Sequence, residues 1–267
     1  MPVLVKRNSI ISMVLVNVLM LERVMMLRTI LLLLLVLGNT ACDRKPVNES
    51  YSYLLLFAEE EADIEPYQTR VLLTPDYLRF DDGDNSSEYV IFDRKKKTIY
   101  SVANETRTVI VVEPKTHSVQ PPFALKLAHL KLDDMQDAPS IGGNRPKHYQ
   151  FKSIDETCYE TLSVIELLPE YIQAKREFNQ ILANDSAQTL LATPADMQNG
   201  CEMAKSTFAP NRHFEFGFPV RMWKEDEYSK TLLDYKKDYV IDAKLFTLPA
   251  DFRRLTVDEI RRSKSFK

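Results

Sequence analysis

From residue 51 to residue 112, apolar and polar side chains alternate in short runs broken by turn residues. Residues 51–57 are dense in aromatic and aliphatic side chains. Tyr67, Thr69, Val71 and Leu73 fall on one face of a strand. Thr74-Pro75-Asp76 leads tightly into 77–80, and Asp81 to Asn85, with Gly83 among them, reads as a turn. Residues 88–92, 98–102 and 108–112 read as further strands. Turn signals every 8–12 residues or so predict an antiparallel meander. The connections are too short for the crossover helices of a parallel sheet.

Residues 123–132 fit a strand or a short helix, and a strand is preferred; 136–147, with Pro139, Gly142, Gly143 and Pro146, is a loop. Residues 148–153 and 158–165 read as a hairpin turned at Ile154-Asp155-Glu156. The period then changes. Leu168, Tyr171, Ile172, Phe178, Ile181 and Leu182 recur at helical spacing behind Pro169, with Glu170, Lys175, Arg176 and Glu177 off the stripe. A second helix is predicted from Thr193 as N-cap, with Met197, Cys201, Ala204 and Phe208 on one face. Phe214, Phe216 and Phe218 then alternate as in a strand that runs on to Trp223. Strands are expected over 228–235 and 239–246, and a short helix over 255–262 with Thr256 as N-cap and Glu259 as its capping-box partner. The sum is an α+β domain over 51–267: a curved antiparallel half-barrel sheet of roughly ten strands, a helical insertion at 168–209, and helices packed on the concave side.

The front of the chain has a different character. Ile30 to Leu37 is an unbroken apolar run, with Arg28 before it and Gly38-Asn39-Thr40-Ala41-Cys42 after it. That is a positive region, a short apolar core and a cleavage region of small residues. The run falls short of the ~20 residues that span a bilayer. Residues 1–41 therefore read as a signal peptide, with translation starting at Met25 or Met26 as an alternative. Ala41-Cys42 resembles the end of a bacterial lipobox, which makes Cys42 the expected site of lipidation and residues 42–50 a short tether. Asp43 beside a lipidated cysteine implies retention at the inner membrane, on its periplasmic side.

With Cys42 acylated, Cys158 and Cys201 remain of the three cysteines. An even pair in an exported domain predicts a disulfide between them. Lys6, Arg7, Arg23 and Arg28 face Glu22 alone within the first 41 residues, so the rest is more acidic than the net −3 of the whole chain. Nothing in such a balance attracts nucleic acid. Six glycines leave little from which to build a phosphate cradle.

No metal or other cofactor is implied. His117, His129, His148 and His213 are scattered, without ligand spacing. Asp81, Asp82, Asp84, Asn85 and Glu88 offer oxygens for Ca²⁺, but not at EF-hand spacing, and read as a solvated turn. Asp93-Arg94 with Lys95 to Lys97 reads as a charged turn rather than an anion patch. No G-x-S-x-G occurs, and Glu170, Glu177 and Asp196 lie on helix surfaces, so no catalytic set emerges.

The stretches LLTPDYLRFDDG, YVIFDRKKKTIYSV and ETRTVIVVEP, within Leu72 to Pro114, resemble proteobacterial periplasmic proteins and lipoproteins related to the LolA/LolB-like half-barrel group. DYVIDAKLFTLPADFRRL is similar to that group's last strand and its F-x-x-P ending. The resemblance implies a half-barrel with a helical lid and an apolar ligand beneath it, and no catalytic residues. Phe214, Phe216, Phe218, Met222 and Trp223 are the candidate lining of such a cavity, or else an ordinary core. Three functions follow. The first is a membrane-tethered, non-enzymatic binding module for a lipid, an acyl chain or an envelope protein. The second is an interaction protein with a solid core, and the third is an enzyme of unknown class.

Overall fold

The computed structural model describes residues 51–84, 88–116, 119–132 and 137–264. The expected signal peptide (1–41) and tether (42–50), with Cys42 and Asp43, lie outside the described residues, as do Asn85 and His117. Ser50–Lys267 is a compact unit by itself, and the core clusters lie inside it. Among the described residues no helix is long and apolar enough to cross a membrane.

Among the described residues, twelve strands form one open, curved sheet in the order β12-β6-β5-β4-β3-β2-β1-β11-β10-β9-β8-β7. The first six are a meander: β1 (Tyr53–Glu61), β2 (Ile64–Leu73), β3 (Tyr77–Asp81), β4 (Tyr89–Asp93), β5 (Thr98–Ala103) and β6 (Thr108–Val112). β7 (Ala128–Lys131), β8 (Lys147–Ser153), β9 (Glu156–Val164), β10 (Phe218–Lys224) and β11 (Tyr228–Lys237) build the other half. β11 closes back on β1, with Leu55 opposite Tyr235 and Glu59 opposite Lys230. All pairs are antiparallel except β12 (Arg253–Thr256), which runs parallel to β6. The sheet thus exceeds the expected ten strands by two, and the α+β class holds.

Period-two alternation sends Leu55, Phe57, Val71, Leu73, Leu78 and Phe92 to one face. There they meet helix α1 (Pro169–Ala192) through Tyr171, Ala174, Phe178 and Ile181. Pro169 stands in the first turn of α1, as its fixed φ favours. The helix runs past the apolar stripe that predicts it: Ala183 and Ala187 are buried on a different side from Ala174, Phe178 and Ile181, where the helix packs against residues 204–208. An ion pair fixes its position. Arg94, buried in the β4–β5 turn, donates to both carboxylate oxygens of Glu177, to the Tyr51 hydroxyl and to the Pro75 carbonyl. The charged turn is therefore a clamp on α1, with Asp93 accepting from the Lys96 backbone as its turn reading implies.

The reverse face carries Tyr89, Ile91, Val102 and Val109, and the C-terminal segment covers it through Leu248 and Phe252. Phe246 stacks on Tyr77, and Arg79 donates to the Leu245 carbonyl. The strand expected at 239–246 is therefore corrected to a loop and a 3-10 turn, Ala243–Phe246. Phe246 is held by the sheet face rather than by a neighbouring strand, while Val240 is exposed. Asp81 accepts from both Arg70 and Arg79, so its oxygens are engaged and it is no calcium ligand. Burial raises that carboxyl's pKa, but the two guanidiniums overcome this and hold it below the usual carboxylate range.

Helix α3 (Val257–Lys264) follows β12 and starts as expected. The Thr256 N–H donates to Glu259 and the Glu259 N–H to the Thr256 hydroxyl. The second predicted helix is corrected. It breaks into a 3-10 turn (Ala195–Met197), α2 (Gly200–Met203) and a π-turn (Ala204–Phe208). Asn199, not Thr193, supplies the N-cap, accepting from the Glu202 N–H. Met197 is 71% exposed and off the supposed stripe. Thr193 instead ends α1, its hydroxyl donating to the Thr189 carbonyl.

Candidate functional site

The disulfide predicted from cysteine parity is present: Cys158 on β9 joins Cys201 on α2, with Cα atoms 5.0 Å apart. Tyr149, Phe151 and Tyr159 surround it, with Phe216 packed against them. It ties the broken helical segment to the sheet. That segment, α1 and the sheet enclose a cavity of about 380 Å³.

Each wall has a local cause. β1 contributes Phe57 and Glu59, β11 Tyr228 and Lys230, and β10 Phe218 and Met222. α1 contributes Tyr171, Lys175, Leu182 and Ser186 from one side of the helix. The far wall is residues 205–214, including Lys205, His213 and Phe214. Ladder irregularities sit beside it, between Leu56 and Phe57 against β11 and between Pro219 and Arg221 against β9. Bulges of this kind bend a strand and re-aim its side chains. Gly217 turns the chain into β10 at φ 104°, and a Cβ there would lie 2.3 Å from the Val164 carbonyl oxygen, so only glycine fits.

Of the five side chains predicted to line a cavity, Phe214, Phe218 and Met222 border this one. Phe216 does not. Its ring lies 4.5 Å from Tyr149 and 5.6 Å from Phe151, in the disulfide cluster. Trp223 sits one strand residue from Met222, hence on the other face, against His148 and Arg221. The alternating strand expected at 214–218 is corrected to a 3-10 turn, Arg212–Phe216, before β10. At three residues per turn, Phe214 and Phe216 point to different sides, whereas a strand would have kept them together.

The polar groups were not singled out by the sequence. Glu59 and Lys230 form an ion pair, Nζ to Oε1 2.6 Å. Lys175 is half-buried, its ammonium 4.3 Å from the Phe178 ring centre and 5.1 Å from that of Phe80. Burial pushes this ammonium down to about 7; the charge of Lys230 adds to the effect and Glu59 opposes it. His213 is buried against Phe214 and Tyr159, with Nδ1 3.4 Å from the Tyr159 hydroxyl. Burial, together with the charges of Lys175, Arg176 and Arg212, lowers its pKa to about 3. The Tyr228 hydroxyl is buried and finds no hydrogen-bond partner among the described residues. The signal for Lys175 lay in its place, four residues after Tyr171 and three before Phe178, at the border of the buried stripe.

No group of three or more metal-ligating side chains occurs among the described residues. His148, away from the cavity, contacts Glu160 at 2.6 Å. What the cavity offers is apolar area with a few polar groups at its edge, the usual make-up of a small-molecule site.

No family model matches the chain, and no curated protein matches it. Among solved structures, an uncharacterized conserved protein from Thermus thermophilus is similar at TM-score 0.38 and 12% identity, covering 78% of this chain and 92% of that one. PNGF-II is similar in two crystal forms at TM-score 0.36, with 10% and 9% identity. Those matches cover 80% and 79% of this chain but only 32% of PNGF-II. Likenesses this weak carry no argument about function.

Proposed function

We propose that the chain is a membrane-tethered envelope lipoprotein whose domain is a non-enzymatic binding module for an apolar ligand, a lipid or an acyl chain. The observation that carries this reading is the cavity of about 380 Å³ between α1 and the sheet. It is open on one side and lined mostly by apolar side chains with a few polar groups, the make-up of a small-molecule site. Here bulky apolar walls stand apart around it, as a half-barrel with a helical lid would hold them. In the same reading α1 lies on the concave side of the curved sheet.

The tether belongs to the proposal: a signal peptide at 1–41, an acylated Cys42, and Asp43 directing retention at the periplasmic side of the inner membrane. Two or more chains on one cysteine hold a protein stably on a bilayer. The Cys158–Cys201 bond supports an oxidising compartment. In this reading the LolA/LolB-like resemblance reflects a shared way of holding a chain under a lid. The other reading, an interaction protein with a solid core, requires the space to be closed.

Nile red, a neutral apolar dye, tests the reading. Residues 50–267 are expected to bind it saturably, with increased fluorescence. Ser186→Phe, which puts a ring into the cavity from α1, is expected to weaken dye binding at least tenfold without changing the thermal unfolding midpoint. Equal binding by both proteins, or no binding by either, contradicts the proposal.

A further inference from the structure

The cavity holds more positive than negative charge. Lys175, Lys205 and Lys230 line it against one carboxylate, Glu59. That carboxylate already pairs with Lys230. Lys205 is exposed, with its ammonium 4.2 Å from the Tyr228 ring centre. Lys175 differs from both. It projects from the second turn of α1 into the cavity wall, half-buried, and among the described residues it has no ion pair or hydrogen bond. Its contacts are the ring faces of Phe178 and Phe80, which attract a cation but do not neutralise it.

A lysine normally carries its charge out to water along its flexible stem. An ammonium held against aromatic rings with no ion pair of its own, its nearest carboxylate Glu59 being taken up by Lys230, lowers stability, and its depressed pKa records that cost. Such groups concentrate where a ligand completes the site. A second polar group in the same cavity is also incomplete, the buried Tyr228 hydroxyl. An anionic oxygen accepts hydrogen bonds from both an ammonium and a phenol.

The geometry points to a single-chain amphiphile with an anionic oxygen head: the head pairs with Lys175, with Tyr228 as a further donor, and the chain lies on Phe57, Phe214, Phe218 and Met222. This rests on the apolar-ligand reading above and names the class of ligand. The shared chemistry of the head belongs to fatty-acid carboxylates and to alkyl phosphates. Cationic amphiphiles are disfavoured, because they would set a fourth positive charge beside Lys175, Lys205 and Lys230.

Four ligands with one chain and different heads test it: decanoate, decyl phosphate, decanol and decyltrimethylammonium, titrated by calorimetry into residues 50–267. Decanoate or decyl phosphate is expected to bind at least tenfold tighter than decanol, with the cation weakest; whichever anion leads identifies the head. In Lys175→Met the anion is expected to lose tenfold or more and fall to the level of decanol. Decanol binding should be unchanged, and the thermal midpoint should rise, which establishes that the variant folds. Equal binding of decanol and both anions overturns the inference and leaves the apolar-ligand reading standing, as does an unchanged anion affinity in Lys175→Met. Failure of all four to bind overturns both.

Discussion

Lowering the pH from 7 to 5 is expected to cost the domain about 2 kcal/mol through His213 alone. The sign follows from its environment. His213 is buried and neutral in the folded state, with a pKa lowered from 6.5 to about 3. Between those values the unfolded chain binds the proton and the folded chain does not. Its contribution is therefore fully present above the unfolded pKa of 6.5 and is lost as pH falls toward 3. The charges facing it are Lys175 and Arg176 on α1 and Arg212 on its own turn, all repelling a second positive charge. Urea unfolding at the two pH values measures the loss. His213→Gln, a neutral replacement, is expected to remove most of the difference. If wild type and variant lose the same stability on acidification, the histidine is not buried as described. Lys175 acts in the same direction in a higher window, because its folded pKa is about 7 and its unfolded value 10.5. Stability is thus expected to rise further from pH 7 toward pH 9.

Removing the disulfide has an effect of similar size or larger. The bond joins residues 43 apart, and closing a loop of that length restricts the unfolded chain by about 4 kcal/mol on the chain-entropy account. The double variant Cys158→Ser/Cys201→Ser is expected to lose about that much in urea unfolding at fixed pH. The loss bears on function as well as stability. Cys201 anchors α2, and the residues that follow it, Lys205 to Phe214, form the far wall of the cavity. Beside the disulfide, the wall is held by hydrogen bonds from Arg212 to the Lys152 carbonyl and the Tyr159 hydroxyl, from Asn211 to the Arg176 carbonyl and from Asn179 to Asn211, all at its C-terminal end. Weaker Nile red binding in the double variant is therefore expected even where it stays folded. A stability loss below about 1 kcal/mol would contradict the account.

The meander was legible because one physical signal dominated it. β1 to β6 are short runs rich in aliphatic and aromatic residues that return through polar turns, so strand composition and turn chemistry agree. β8, β9 and β11 were legible on the same grounds, and α1 through its helical stripe behind Pro169. The misses share a different cause. Phe214, Phe216 and Phe218 alternate as a strand does, yet Gly217 at φ 104° separates a 3-10 turn from β10. Tyr239 to Phe246 looks like a strand by composition, but the rings of Tyr77 and Phe246 pin the segment across the back of the sheet instead. β12 pairs in parallel with a strand about 145 residues earlier, and nothing local announces such a pairing. The helix expected after Thr193 breaks at Asn199-Gly200, where the Asn199 side chain caps a new turn, a signal that the apolar stripe on Cys201, Ala204 and Phe208 masks.

The candidate site was half legible for related reasons. Large apolar residues announce themselves in sequence, and Phe214, Phe218 and Met222 do so here. Lys175 falls on the outside of α1 by sequence, because a lysine among Arg176 and Glu177 reads as a solvated face. Only the cavity beside α1 keeps it from water. His213 and Tyr228 likewise acquire their character from burial, which a linear pattern does not contain.

Native mass spectrometry of residues 50–267, made in bacterial cells and purified without detergent, tests the central claim most directly. The account predicts a population carrying one additional mass in the range of a single-chain lipid, released on collisional activation and absent from Ser186→Phe. A spectrum of bare protein alone, with the space beside Phe214 and Phe218 closed in a crystal of the same preparation, would contradict it.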